Sequence, residues 1–162
     1  MIFDLNEFAS EVHQNAIDHG FWDDDATDER QIALIHSEWS EALQADRSGC
    51  TPREVCMELI DGVLRVLDYC AAKDMLVAVD DYHYQPEFFP MLCELHELTY
   101  HLPHLNYSAP LKPHESIRTL SLVRIPSLVF AFCRSYGMDP YDLMRRKHEF
   151  NMTRPHKHGK RY

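Results

Sequence analysis

Residues 35–46 read IHSEWSEALQAD. On a helical wheel, Ile35, Trp39, Ala42 and Ala45 gather on one side with Leu34, while His36, Ser37, Ser40 and Gln44 take the other. That spacing is the helical period, not the alternation of a strand. Glu38 falls inside the apolar arc and Glu41 at its edge. A carboxylate taken out of water is costly unless it is paired or bound to a metal. No Lys or Arg lies one turn from Glu38 on the same helix, so its cation must come from elsewhere.

The same period extends along most of the chain. Helices are expected at about 4–19, 28–47, 53–73, 87–102, 115–136 and 139–151. Thr51-Pro52 supplies an N-cap followed by proline at the first helical position. Gly49 closes the helix before it, and Gly137 with Asp139-Pro140 marks the boundary between the last two. The segment HLPHLNYSAPLKPHE (101–115) holds three prolines and reads as a loop. These signals predict an all-α fold, an antiparallel bundle of about five to six helices forming one domain over 1–162. A chain of 162 residues is long enough to bury a core without staples.

Composition narrows the function. An apolar fraction of 45% with 18 aromatic residues argues against disorder. The start, MIFDLNEFASEVH, is acidic and has no long apolar run, so it does not read as a signal peptide. The most apolar stretch, SLVRIPSLVFAFC (121–133), is short and broken by Arg124 and Pro126, which argues against a membrane span. Five cysteines without a CxxC pair read as reduced thiols, which points to the cytoplasm. A net charge of −10 disfavours coating a nucleic-acid polymer. The charge is uneven: residues 145–162 carry seven Lys/Arg and one acid, against nine bases and 25 acids in the rest. Such asymmetry suits a basic element that meets an anion; the plainer alternative is a solvated tail.

The third helix carries a second acidic pair, in MELID. Its apolar arc is broad: Val55, Leu59, Ile60, Val63, Leu64, Val66 and Leu67. A narrow stripe opposite holds Glu54, Glu58, Asp61, Arg65 and Asp68. Alone, that stripe reads as a solvated face with Arg65 partly compensating its acids. Taken with Glu38 and Glu41, it reads differently. Two antiparallel helices joined by a short loop bring four carboxylates towards one point, and all-oxygen ligands suit Mg²⁺ or Mn²⁺. A di-iron carboxylate bundle would need Glu-x-x-His, and the chain has none.

With these pairs in view, the chain resembles the all-α nucleoside triphosphate pyrophosphohydrolases, the MazG-like and dimeric dUTPase-like superfamily. The resemblance rests on LIHSEWSEALQADR, on EVCMELIDGVLRVLDYCAAKD and on the C-terminal GMDPYDLMRRKHEFNMTRPHKHGKRY, with a weaker match in FASEVHQNAIDHGFW. It implies that Glu38, Glu41, Glu58 and Asp61 hold Mg²⁺, with Mn²⁺ a possible substitute. It implies that Lys147 and Asn151 meet the phosphates of a nucleoside triphosphate, with Arg154 and Lys157 assisting. The implied reaction yields a nucleoside monophosphate and pyrophosphate, a housecleaning of the nucleotide pool. One of the four carboxylates would take the proton of the attacking water, and Glu41, at the edge of the arc, is the choice. A homodimer or larger homo-oligomer is implied as well.

Two other functions compete. One is a non-catalytic helical oligomerisation module with solvated acids. The other is hydrolysis of a non-nucleotide phosphate compound on the same fold.

About 60 residues separate YCAAKD from YGMDPYD, more than the short family pattern has. Residues 87–136 can be laid on helices two and three as a decayed copy. Glu94 and Glu97 then fall at Glu38 and Glu41, Ser121 replaces Glu58, Arg124 replaces Asp61, and Cys133 matches Cys70. That copy would have lost its metal site. Trp22 stands as a candidate for stacking on a base, against an ordinary core role. His96, His101 and His104 lie near Glu94 and Glu97 but lack a closed tetrahedral spacing.

Overall fold

In a computed structural model, described here for residues 3–23, 26–81, 85–104 and 116–159 (backbone alone over 116–120), the chain is all-helical. Six α-helices follow one another: α1 Leu5–Asp18, α2 Asp28–Arg47, α3 Pro52–Ala72, α4 Phe88–His101, α5 Ser116–Ser135 and α6 Pro140–Met152. Short 3₁₀ turns follow α4 at Leu102–His104 and α6 at His156–Gly159. Among the described residues there is no strand, and no helix is long and apolar enough to cross a membrane. The expected loop at 101–115 is helical at its first residues, and its remainder lies outside the described residues.

The helix ends obey local chemistry. Asp4, Thr27, Thr51 and Asp139 each accept a backbone N–H of the first turn that follows. Such caps satisfy donors that the helix itself leaves without partners. At Thr51 the cap is reciprocal, because Glu54 accepts the Thr51 N–H at 2.7 Å. Gly49 and Gly137, at φ +75° and +73°, take the left-handed turns that end α2 and α5.

Pro126 sits inside α5. Proline has no N–H, so the carbonyl four residues back loses its helical donor. The Leu122 carbonyl is met instead by the Ala78 N–H at 3.4 Å. Next to it, Ser127 Oγ donates to Val123 O at 2.6 Å and accepts the Asp80 N–H at 2.8 Å. The extended segment after α3 is thereby fastened to the proline turn of α5.

α3 packs against α1, α2, α5 and α6, while α2 and α5 each pack against α4. Its broad apolar arc explains that central place, since Val55, Leu59, Ile60, Val63, Leu64, Val66 and Leu67 are all buried. One continuous cluster of buried apolar residues draws members from all six helices. Trp39 is fully buried in it, and its indole N–H donates to Thr99 Oγ1 at 2.9 Å. Gly62 on α3 makes room for that ring: a Cβ there would lie 2.1 Å from it.

Candidate metal and phosphate site

The narrow polar stripe of α3 faces a cleft of about 240 Å³. α2 lends Glu38 and Glu41 to its wall; α3 lends Glu58, Asp61, Arg65 and Asp68. Across it stand Asn15 from α1, Lys147, His148 and Asn151 from α6, and Arg154 and His158 from the segment that follows.

Glu38 therefore does not point into oil. It is 6% exposed, and its carboxylate turns out of the apolar arc to the seam between α2 and α3. There, one carboxylate oxygen each from Glu38, Glu58 and Asp61 lies within 4.8 Å of the others. Among the described residues no other group of three His, Cys, Asp or Glu side chains converges in this way. Glu41 lines the same cleft one turn away but is exposed and stands outside the triad. The four carboxylates thus reach one cleft, and three of them reach one point.

Among the described residues, Arg65 and Lys147 are each ion-paired with a member of the triad. The Arg65 guanidinium Nε donates to Glu38 Oε1 from one helix to the next. The sequence suggested that Arg65 would offset the acids of its own helix, but its partner is on α2. Its guanidinium also lies over the Phe21 ring at 5.2 Å, which fixes its direction. Lys147 Nζ stands 2.6 Å from Asp61 Oδ2, with both side chains about 15% exposed.

Burial pushes the Asp61 carboxyl up to about 6; Glu38 and Glu58 add to the rise and Lys147 opposes it. Three converging carboxylate oxygens, from Glu38, Glu58 and Asp61, could hold a metal ion, and hard divalent ions prefer carboxylate oxygen.

The basic end of the chain is divided. Lys147, Asn151 and Arg154 all line the cleft. Among the described residues, Asn151 Oδ1 is buried without a hydrogen-bond partner, and a buried acceptor left in that state is costly. The Arg154 guanidinium lies over the Phe150 ring at 5.8 Å. Lys157 stands apart, with its Nζ 3.4 Å from Asp23 and its backbone N–H donating to His19 O at 2.7 Å. Trp22 does not line the cleft either; its indole N–H donates to Asp68 Oδ1 at 2.8 Å.

No known family model, curated protein or solved structure matches this chain.

Two residues that line the cleft with the triad were not singled out as functional from sequence. Asp68 is buried, bonded to Trp22 and to His13 Nδ1 at 2.7 Å. Burial raises its pKa against those hydrogen bonds. Its signal was its place on the Glu58–Asp61 stripe. His148 is buried beside Lys147, and burial lowers its pKa. It carries no signal in sequence beyond adjacency to Lys147.

The segment laid on α2 and α3 as a second copy has a matching contact. Arg124, at the position of Asp61, is ion-paired with Glu94, at the position of Glu38, through Nε and through Nη2 at 3.1 Å. His96 pairs with His36 of α2, Nδ1 to Nδ1 at 2.8 Å, with the rings stacked at 7°.

Proposed function

We propose that this chain is a magnesium-dependent nucleoside triphosphate pyrophosphohydrolase. It would convert a ribo- or deoxyribonucleoside triphosphate and water into the monophosphate and pyrophosphate. The observation that carries this reading is the meeting of three carboxylates with Lys147, Asn151 and Arg154 in one cleft. A carboxylate cluster alone repels a polyphosphate; a basic face alone binds one without activating water. Facing each other, they suit hydrolysis of a phosphoric anhydride. The resemblance of the helix motifs and of the C-terminal segment points to the same chemistry.

Bound by Glu38, Glu58 and Asp61, Mg²⁺ would neutralise phosphate oxygens and acidify a water. The residues of the chain do the rest. Glu41, exposed on the cleft wall, takes the proton of the attacking water. Lys147 presents a point charge to a phosphate that moves as the bond breaks. Arg154 grips two oxygens at once, and Asn151 adds a donor without adding charge. The homodimer or larger assembly implied by the resemblance belongs to the same proposal.

The test is a screen of nucleoside triphosphates that reads pyrophosphate against orthophosphate. Mg²⁺-dependent pyrophosphate release, lost in Glu38→Gln and Glu58→Gln variants that still fold, is the expected result. Release of orthophosphate, or turnover that survives chelation of divalent ions, would overturn the proposal.

A further inference from the structure

Lys147 occupies a carboxylate that the proposed metal site also needs. Its ammonium is bonded to Asp61, one of the three converging acids. An ammonium and a divalent cation on one mostly buried carboxylate, about 15% exposed, repel each other, because the surroundings screen them less than bulk water would. The two therefore compete for Asp61. We propose that Lys147 is a displaceable counter-cation: it caps Asp61 in the resting protein, and it leaves for Asn151 and the phosphate side of the cleft when a divalent cation takes the carboxylate. The inference rests on the metal-site reading above and names how that site is gated.

Three features favour Lys147 over Arg65 as the group that moves. Arg65 shares α3 with Asp61 and is held over Phe21, so its guanidinium has little freedom. Lys147 reaches across from α6 on a flexible four-carbon stem, and its head is a point charge without a planar fork to align. A place for it to land is already present. Asn151 is one turn along the same helix, within reach of an i, i+4 contact, and among the described residues its buried Oδ1 lacks a donor. An ammonium has three N–H groups. One given to Asn151 Oδ1 would satisfy that oxygen and leave two for phosphate. Metal loading would thus create the phosphate contact, which orders the two events.

The experiment reads Lys147 and the metal separately, without nucleotide. In lysine-selective NMR of the unmutated chain, Mg²⁺ should move the Lys147 side-chain signal. Asp61→Asn should move it in the same direction without Mg²⁺ and abolish the further response. In calorimetry with Mn²⁺ alone, Lys147→Met should bind about tenfold more tightly than the unmutated chain, equivalent to ~1.4 kcal/mol. Arg154→Met removes one charge from the same cleft but frees no metal ligand, so its affinity should change far less. A Lys147 signal that stays put while Mn²⁺ binds overturns the displacement and leaves the metal site standing. So does equal tightening in Lys147→Met and Arg154→Met, since loss of bulk charge would then explain both. Absence of Mn²⁺ binding in every variant overturns the metal reading and this inference with it. The NMR arm needs no Lys147 substitution, so it decides the matter even where Lys147→Met fails to fold.

Discussion

At the scale of single residues, Gly62 and the His36–His96 pair give the clearest tests of packing and charge. Helix propensity alone predicts that Gly62→Ala stabilises α3, by ~1 kcal/mol. Packing predicts the opposite. The new Cβ would meet the ring of Trp39, which is fully buried and tied to Thr99. Overpacking of this kind costs roughly 1–3 kcal/mol, so denaturant unfolding should find Gly62→Ala less stable.

The histidine pair predicts a pH effect. Burial lowers both pKa values, and His96 lowers that of His36 further. The unfolded chain therefore takes up protons near the ordinary histidine value while the folded chain resists. Stability from the pair is full above about 6.5 and falls as pH drops through the lowered folded values. His148, also lowered by burial, acts in the same direction. Asp61, raised from 3.8 to about 6, acts oppositely: the folded chain holds its proton more tightly, so that contribution gains stability as pH falls through 6. Comparing unfolding free energies of the unmutated chain and His96→Gln between pH 5 and 7.5 isolates the pair. The variant should lose less stability on acidification. An identical slope would contradict the account.

At the scale of elements, α6 is the part of the fold on which the proposed activity turns. It presents Lys147 and Asn151 to the cleft from one face, and Arg154 follows just beyond its end. Losing a charge-assisted contact of ~1.5–3 kcal/mol corresponds to roughly tenfold or more in rate. Lys147→Ala and Asn151→Ala should each fold yet slow nucleotide turnover by about that factor, measured as pyrophosphate release under saturating Mg²⁺. Lys112→Ala, in the proline-rich segment 101–115 and outside the described residues, should do little. Turnover that survives truncation after Phe150 would contradict the role given to the residues beyond it.

The elements themselves were legible from sequence because their limits are set locally. Thr51-Pro52, Asp139-Pro140 and Gly49 act within a turn or two, and the observed helices begin and end close to the expected positions. The periodicity also gave the face of Glu38. It did not give its partner. A helical wheel assigns a direction to each side chain but not what stands opposite, so the bond from Arg65 to Glu38 and that of Lys147 to Asp61 emerge only with the packing. Trp22 shows the same limit. An aromatic at a helix end reads alike whether it stacks on a base or donates to a buried carboxylate, and here it donates to Asp68.

At the scale of the whole molecule, the cleft joins the two charge blocks of the sequence. The acidic body supplies α2 and α3; the basic end closes over them as α6 and the segment after it. The region laid out as a second copy packs beside the first, with α4 on α2 and α5 on α3. Within it, Glu94 is ion-paired with Arg124. Leu76, Phe89 and Tyr100 are 77%, 62% and 61% exposed, and the resemblance implies a homodimer or larger assembly. Light scattering at micromolar concentration should return a mass of at least two chains, and a monomer throughout would contradict that expectation.

The central claim is that Glu38, Glu58 and Asp61 together hold a divalent cation in register with a triphosphate. Its most direct test is a crystal structure grown with Mn²⁺ and a nucleoside triphosphate analogue whose α–β bridge resists hydrolysis. An anomalous peak coordinated by Glu38, Glu58 and Asp61, with phosphate oxygens reaching Lys147, Asn151 and Arg154, is the result predicted. Phosphates bound in the cleft with no metal on those three carboxylates, or Mn²⁺ bound elsewhere, would contradict it.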